Sequence, residues 1–258
     1  MNLWEKGIWY LTIGLTAAAL VKLWSTSLIK IYKLLFCYLA FDFLSSLVSL
    51  LIPYRTKYYG YYYFSAQTLM IVMAAFMLVE IYALALEKTP ALARFLRSTV
   101  GYILGIAALT PLLWLFANRS ASSQIHPYLK ADLLFEQTMD ATMAIFLVII
   151  SIFMTWFPVR LRRNVIVYIS GFIVWSLSRS TGAHLAHQWS GNKQAMMAVN
   201  NAQMLVAMGC LLFWLLGLRR EGEARTAVVG HLWNRAEADR LTEQLDAIND
   251  SLTRLRRK

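Results

Sequence analysis

Charged and amide side chains fall inside long apolar stretches of this chain, at positions where a lipid-facing helix would carry none. Ionisable groups in membrane helices are costly and usually face the interior of a bundle, so each one is a candidate for binding or transport. An arginine among acids and amides predicts a pocket for a small polar or anionic ligand. The predicted ligand-binding set is Gln67, Glu136, Gln137, Asp140, Arg179, His184, Asn200, Asn201 and Gln203.

Helical spacing places several of these residues at matched depths. Glu136 and Asp140 are four residues apart, so they share one face of a helix. Asp140 lies about eight residues from the beginning of its stretch, and Arg179 lies nine residues from the end of the next one. In antiparallel helices both positions are roughly 12–14 Å below the same side of the membrane. The connection between the two stretches is short and predicts antiparallel neighbours. We therefore expect Asp140 to meet Arg179 and Glu136 to meet His184. A purely structural ion pair that holds helices together is the alternative interpretation.

A metal site is a second interpretation of the same region. His184 and His187 are three residues apart and can share one side of a helix, and Glu136 would complete three ligands around zinc. A water molecule in the fourth position would then allow hydrolysis inside the membrane. This pattern supports a metal-dependent hydrolase only as an alternative, and the chain is not expected to be an enzyme.

Two further acids lie apart from that group. Asp42 is midway along the second apolar stretch, where Ser45, Ser46 and Ser49 share its helical face. Glu80 lies in the later part of the third stretch. Together with Asp140 and Arg179 they could form an ion or proton path, which would make the chain a transporter or channel. The alternative, which we favour, is that each is a hydrogen-bonded structural acid.

The composition of the chain indicates that membrane-spanning helices position these residues. The chain of 258 residues is 59% hydrophobic and 15% charged, whereas soluble domains carry about 25% charged residues. Seven apolar stretches each approach the roughly 20 residues that cross a bilayer. They are 8–24, 34–52, 62–86, 99–117, 133–157, 165–188 and 196–218. The predicted fold is an all-α integral membrane protein with a seven-helix bundle over residues 1–220.

Charge placement predicts the orientation of the bundle. The formal net charge is +11, yet most cations flank the apolar stretches, so anionic lipid of the bilayer explains them and no nucleic-acid partner is expected. The inner connections hold more cations than the outer ones if the N-terminus is outside. The inner cations are Lys22, Lys30, Lys33, Lys88, Arg94, Arg97, Arg160, Arg162 and Arg163. We expect a plasma or inner membrane, with the C-terminus in the cytoplasm.

Residues 221–258 predict a cytoplasmic linker followed by an amphipathic helix. Asn234 and Glu237 resemble a capping box, which would start the helix at Arg235. An apolar seam in steps of four and three follows, as in a short coiled coil. Its residues are Leu241, Leu245, Ile248, Leu252 and Leu255. The seam predicts a homo-oligomer; a helix folded back onto its own bundle and a docking surface for a cytoplasmic partner are the alternatives.

Three functions therefore remain open at this point. The first is a receptor-like protein that binds a ligand in the outer half of the bundle and signals or assembles through its C-terminal helix. A transporter or channel is the second, and a metal-dependent hydrolase is the third. A receptor predicts a pocket closed at one end, a transporter predicts a polar path that reaches both faces, and an enzyme predicts bound metal.

Overall fold

A computed structural model describes residues 3–52, 57–87, 89–117, 127–156, 159–189, 192–224, 226–229 and 235–255. These residues fold almost entirely into helices, with one short two-stranded ribbon. The helices are α1 (Leu3–Ser25), α2 (Lys33–Leu51), α3 (Lys57–Ala85), α4 (Pro90–Ala117), α5 (Pro127–Trp156), α6 (Arg163–Gln188), α7 (Lys193–Gly217) and α8 (Arg235–Leu255). The strands are β1 (Val159–Arg162) and β2 (Thr226–Val229).

Six of these helices are long and apolar enough to cross a membrane. The segments are Lys6–Ser25, Lys33–Leu51, Tyr59–Ala85, Ala91–Thr110, Phe135–Trp156 and Gln194–Gly217. Helix α6 has 26 residues and sufficient length, but Arg179 and a run of serines make it more polar than the other six. The described part of the chain thus indicates association with a membrane through six apolar helices.

The helices form a closed ring. Each of α1, α2 and α3 contacts the next, α3 contacts α5, and the ring continues through α6 and α7 back to α1. Helix α4 lies outside the ring against α3 and α5, and α3 also contacts α6 across the interior. Helices α3, α4 and α5 begin earlier than their apolar stretches predict, because the polar or aromatic residues before each stretch continue the same helix.

The two ends of the ring differ, and we name them by the chain ends they carry. The amino face holds the start of α1, the ends of α2, α4 and α6, and the starts of α3, α5 and α7. The carboxyl face holds the opposite ends of these helices, the ribbon and α8. Strands β1 and β2 pair antiparallel there, with Val159 opposite Val229 and Arg162 opposite Thr226. The sequence did not predict this ribbon, since both strands have only four residues.

An aromatic column fills the middle of the ring between the two faces. It consists of Trp175, Phe172 and Tyr168 of α6 and of Tyr32, which immediately precedes α2. Trp175 and Phe172 stack at 5.5 Å, Phe172 and Tyr168 lie 6.5 Å apart, and Tyr168 meets Tyr32 edge-on at 5.5 Å between ring centroids. Offset and edge-on contacts are the favourable geometries for aromatic pairs. The column leaves the centre of the ring filled rather than open.

Helices α6 and α7 approach each other closely at two glycines, where a larger side chain would overlap the neighbouring helix. Gly171 lies directly under the indole of Trp214, and Gly182 lies under the amide of Gln203. A Cβ at either glycine would overlap these side chains. Because glycine has no Cβ, it permits this close approach of two helices.

Candidate functional site: the amino-face cavity and the Arg179 centre

A cavity of about 830 Å³ opens in the amino face. It lies among α1, α2, α3 and α7, and its lining runs from the ends of these helices at this face to Asp42, midway along α2. This volume falls within the roughly 300–1,000 Å³ of typical small-ligand sites. The polar lining consists of Lys6, Asp42, Ser45, Ser46, Ser49, Gln67 and Asn200, and the aromatic lining consists of Trp9, Tyr10, Tyr59, Tyr62 and Tyr63.

Asp42 is the deepest charged group of this cavity. It lies midway along α2, and one helical face carries it together with Ser45 and Ser49. Its Oδ2 accepts a long hydrogen bond of 3.4 Å from the hydroxyl of Thr16. Among the described residues, no Lys, Arg or His nitrogen lies within 4.0 Å of the Asp42 carboxylate. The described residues of the cavity therefore place no cation in contact with this carboxylate.

The aromatic rings give the cavity its walls. The Tyr62 hydroxyl lies 2.7 Å from the Ser45 carbonyl oxygen and 2.9 Å from the Ser45 hydroxyl, which fixes α3 against α2. Trp9 and Tyr10 lie 5.7 Å apart on α1. Tyr59 and Tyr63 stack on α3 with 6.3 Å between their centroids. The two rings of each pair thus hold one another in place, one pair on α1 and the other on α3.

Beside the cavity lies an ion-paired group that we call the Arg179 centre, formed by Arg179, Asp140, Glu136 and Gln67. Arg179 donates from Nε to Asp140 Oδ2 at 3.0 Å and from Nη2 to Glu136 Oε1 at 2.5 Å. Gln67 donates to the same Glu136 oxygen at 3.0 Å. The guanidinium also lies 5.3 Å from the centroid of Trp175, at the top of the aromatic column. Two carboxylates and a ring therefore surround one cation.

The expected contact between Asp140 and Arg179 is present, and Asp140 is only 1% exposed. The expected contact between Glu136 and His184 is wrong. Glu136 pairs with Arg179 instead, because the guanidinium can reach both acids of one helical face. His184 is exposed and shares a hydrogen bond of 3.1 Å with Gln188 on its own helix.

The remaining predicted ligand residues lie in different surroundings. Asn200 lines the cavity, as does Gln67, which connects the cavity to the Arg179 centre. Gln203 approaches the carbonyl oxygens of Ser178 and Arg179 at 3.4 and 3.5 Å and so joins α7 to α6. Gln137 is half-buried on α5 and Asn201 is half-buried on α7. The predicted set is thus divided between the cavity, the ion-paired centre and helix contacts.

The metal interpretation gains no support from the described residues. Among them, no three His, Cys, Asp or Glu side chains are grouped closely enough to hold a metal ion. Glu136 faces Arg179 while His184 faces Gln188, so two of the three predicted ligands are separated. The backbone of His187 belongs to α6, but its side chain lies outside the described residues.

Glu80 lies toward the carboxyl face, where its carboxylate contacts the start of α2. Its Oε1 accepts a hydrogen bond of 3.1 Å from the backbone N–H of Leu34, and its Oε2 accepts one of 3.2 Å from the Tyr168 hydroxyl. A carboxylate in this position satisfies donors that the first turn of α2 leaves without intrahelical partners. It also suits the positive end of the helix dipole. The predicted ion-path residue thus acts as a helix cap.

Sequence reasoning missed a polar network around Glu223. Glu223 Oε1 accepts hydrogen bonds from the Tyr32 hydroxyl at 2.7 Å and from Asn164 Nδ2 at 2.6 Å. Arg162 joins Glu223 at 3.3 Å and Glu87 at 2.6 Å. Burial, followed by the hydrogen bond to Glu223, raises the pKa of Tyr32, so its hydroxyl stays a donor at neutral pH. The network ties the residue before α2, the segment after α3, β1, the start of α6 and the segment after α7 together.

Helix α8 begins at Arg235 as predicted and lies against α4. Asn249 Oδ1 accepts hydrogen bonds from the backbone N–H groups of Ala91 at 2.9 Å and Leu92 at 3.4 Å, so it caps α4 from another helix. Leu241 and Leu245 are half-buried, whereas Ile248 is 45% exposed. The fold-back alternative is therefore present, and its contact strip departs from the predicted seam at Ile248. The side chains of Leu252 and Leu255 lie outside the described residues.

Comparison of the chain with protein-family models, with curated proteins and with solved structures gave no match. The functional argument therefore depends on the cavity and its surroundings.

Proposed function

We propose that this chain is a receptor-like membrane protein of seven spanning helices that binds a small polar ligand in the amino-face cavity. In this proposal the amino face is outside the cell and the carboxyl face is in the cytoplasm. The observation that carries it is a ligand-sized cavity that is open at one face and backed by a filled core. The cation-rich connections of the carboxyl face support the orientation.

Helix α6 serves as the seventh span in this proposal. Its 26 residues give a length of about 39 Å, which exceeds the roughly 30 Å of a bilayer core. It lies in the ring between α5 and α7, and Arg179 points to acids on α5. Since its charge is paired within the bundle, its lower hydropathy does not oppose insertion.

The closed inner end of the cavity favours a receptor over a transporter. Toward the carboxyl face from Asp42, the α2 side chains of Tyr38, Leu39 and Leu35 are buried. Tyr38 meets Trp175 edge-on at 5.6 Å and so joins the aromatic column. Glu80, the next acid in that direction, caps α2. Among the described residues, this packing supplies no chain of polar groups that a solute could follow.

Cysteine accessibility tests the proposal. In a background with Cys37→Ser and Cys210→Ser, Ser46→Cys in the cavity should react with a charged, membrane-impermeant thiosulfonate added to the amino side only. Leu39→Cys, behind the cavity, should react from neither side. Exposed Ser25→Cys at the carboxyl face is the matched control and should react from that side only.

The same variants measure orientation when the reagent is added to intact cells. Labelling of Ser46→Cys but not Ser25→Cys supports an external amino face, and the reverse result contradicts it. If Ser46→Cys reacts from both sides, a continuous path crosses the bundle, and the transporter proposal replaces the receptor proposal.

In this proposal helix α8 transmits the signal of the receptor. It does so either by assembling copies of the chain or by leaving α4 and binding a cytoplasmic partner. We retain a homo-oligomer as part of the proposal, because the membrane confines copies to a plane and raises their effective concentration. Exposed Ile248 supports a second contact surface on docked α8. Particle mass in detergent should fall when the chain is shortened to end at Gly230. An unchanged mass would remove α8 from the assembly role.

A further inference from the structure

We infer that the ligand of the amino-face cavity is a small organic cation, and that the Asp42 carboxylate pairs with its ammonium group. This inference rests on the proposed binding function of the cavity and adds the charge and chemical class of the ligand. It replaces the expectation of an anionic ligand at Arg179. Arg179 does not line the cavity, and both of its acidic neighbours already occupy its guanidinium.

The first argument is the charge balance among the acids within the helices. Asp140 and Glu136 share Arg179, and Glu80 accepts hydrogen bonds from Leu34 and Tyr168. Asp42 has the single long hydrogen bond from Thr16 and, within the described part of the chain, no cation within 4.0 Å. A carboxylate inside a bundle is costly unless a partner compensates its charge. A bound cation supplies that partner.

The second argument is the chemistry of the walls. Five aromatic residues line the cavity, and two adjacent pairs among them hold each other in place. The faces of aromatic rings attract cations, most strongly for Trp, and quaternary ammonium groups are the cations most often bound in this way. The faces of the same rings carry partial negative charge and do not favour an anion. Rings and carboxylate therefore select the same sign of charge.

The third argument is the position of Lys6. This residue begins the α1 wall at the amino face, whereas Asp42 lies ten residues before Ile52, which follows the last turn of α2 at the opening. Ten helical residues span about 15 Å. Lys6 and Asp42 are thus separated along the depth of the cavity, and no ion pair joins them. The cation binds at the floor, and a neutral or acidic group of the ligand faces Lys6 at the opening.

Binding of three cations tests the inference: choline, tetraethylammonium and phenethylammonium. The full chain is placed in phosphatidylglycerol nanodiscs, which contain no lipid ammonium groups, and affinity is measured by calorimetry. At least one cation should bind wild type about tenfold or more tightly than Asp42→Asn, because loss of one partner of an enclosed charge pair is costly. Lys6→Gln should bind that cation at least as tightly as wild type. The neutral analogue of choline, 3,3-dimethylbutan-1-ol, should not distinguish wild type from Asp42→Asn.

Controls separate failure of this inference from failure of the proposed function. Ala66→Trp fills the cavity and should abolish binding, while Ala18→Trp on the exposed side of α1 should not. If succinate binds, and Lys6→Gln and Ala66→Trp both remove it, the cavity binds anions and the cation assignment is wrong. If wild type and Ala66→Trp behave alike with all five probes, the binding function itself is wrong. Equal affinity of wild type and Asp42→Asn for all three cations also overturns the assignment.

Ammonium chemistry could come from a solute or from a lipid headgroup, and a second lipid mixture distinguishes them. Adding phosphatidylethanolamine to the nanodiscs should leave the affinity of the soluble cation unchanged if the cavity admits solutes only. A weaker apparent affinity that depends on the amount of phosphatidylethanolamine would identify the headgroup as a competing occupant of the same site. Either result keeps Asp42 as the partner of the ammonium.

Discussion

The cavity and the carboxyl face use their charged residues in opposite ways. At the carboxyl face Glu223 accepts hydrogen bonds from Tyr32, Asn164 and Arg162, and Glu80 caps a helix. In the cavity Asp42 has one long hydrogen bond. The Arg179 centre shares the amino half with the cavity but resembles the carboxyl face, because its charges are paired. Most of the described polar groups thus hold helices together, whereas Asp42 has no cation beside it among the described residues, which is the basis for the proposed ligand contact.

Arg179→Met gives the largest expected effect and tests the paired side of the comparison. The substitution strands Asp140, which is 1% exposed, together with Glu136. Removing one member of a buried ion pair costs about 3–5 kcal/mol. The free energy of unfolding, measured in mixed detergent micelles, should fall by that amount. Asp42→Asn should change it by less than about 1 kcal/mol, within the range of sites without a named destabilising mechanism. Equal losses for both variants would erase the distinction.

Glu223→Ala gives the next largest effect. It leaves the hydroxyl of Tyr32 and the amide of Asn164 without their shared acceptor, and both residues are fully buried. Each stranded donor costs about 1–3 kcal/mol, and water that enters the space offsets part of this, so we expect about 3 kcal/mol. Ser46→Ala in the cavity is the control and should cost under about 0.5 kcal/mol. A larger loss at Ser46 than at Glu223 would reverse the comparison.

Asn249→Ala gives the smallest effect and loosens one element of the carboxyl face. It removes the acceptor of two N–H groups at the start of α4, and loss of such a cap costs about 1 kcal/mol. Most of this cost concerns the docking of α8 rather than the bundle. Limited proteolysis should cleave α8 several times faster than in wild type, with an unchanged transition of the bundle. Exposed Asp250→Ala should cleave at the wild-type rate. Equal rates for both variants would show that Asn249 does not hold α8.

Periodicity and depth predicted much of the fold from the sequence. Every apolar stretch became a helix, because about 20 apolar residues in succession leave few other ways to satisfy the backbone in lipid. The contact between Asp140 and Arg179 followed from equal depth in neighbouring antiparallel helices. The start of α8 followed from a capping pattern. These features depend on local spacing or on adjacent elements.

The sequence does not predict toward which neighbour a side chain points from its helix, nor which residue distant in the chain it contacts. Depth alone placed Glu136 beside His184, and only the packing of α5 against α6 brings Glu136 to Arg179 instead. Asp42 was recognised as polar, yet its cavity is formed by four helices that depth does not order. Glu223 lies in a charged segment and binds Tyr32, which is 191 residues away in the chain. Such contacts depend on how the ring closes, which no local pattern encodes.

The close packing of α6 on α7 has a mechanical consequence. Gly171 and Gly182 seat Trp214 and Gln203 so tightly that neither helix can slide or roll along the other without a collision. The two helices therefore pack as one unit, which carries both Arg179 and Asn200. Lys22 of α1 donates a hydrogen bond to the carbonyl oxygen of Leu215 on α7 and so ties this unit to α1 at the carboxyl face. The α7 wall of the cavity is thereby coupled to the Arg179 centre, whereas the α2 and α3 walls lie outside this unit.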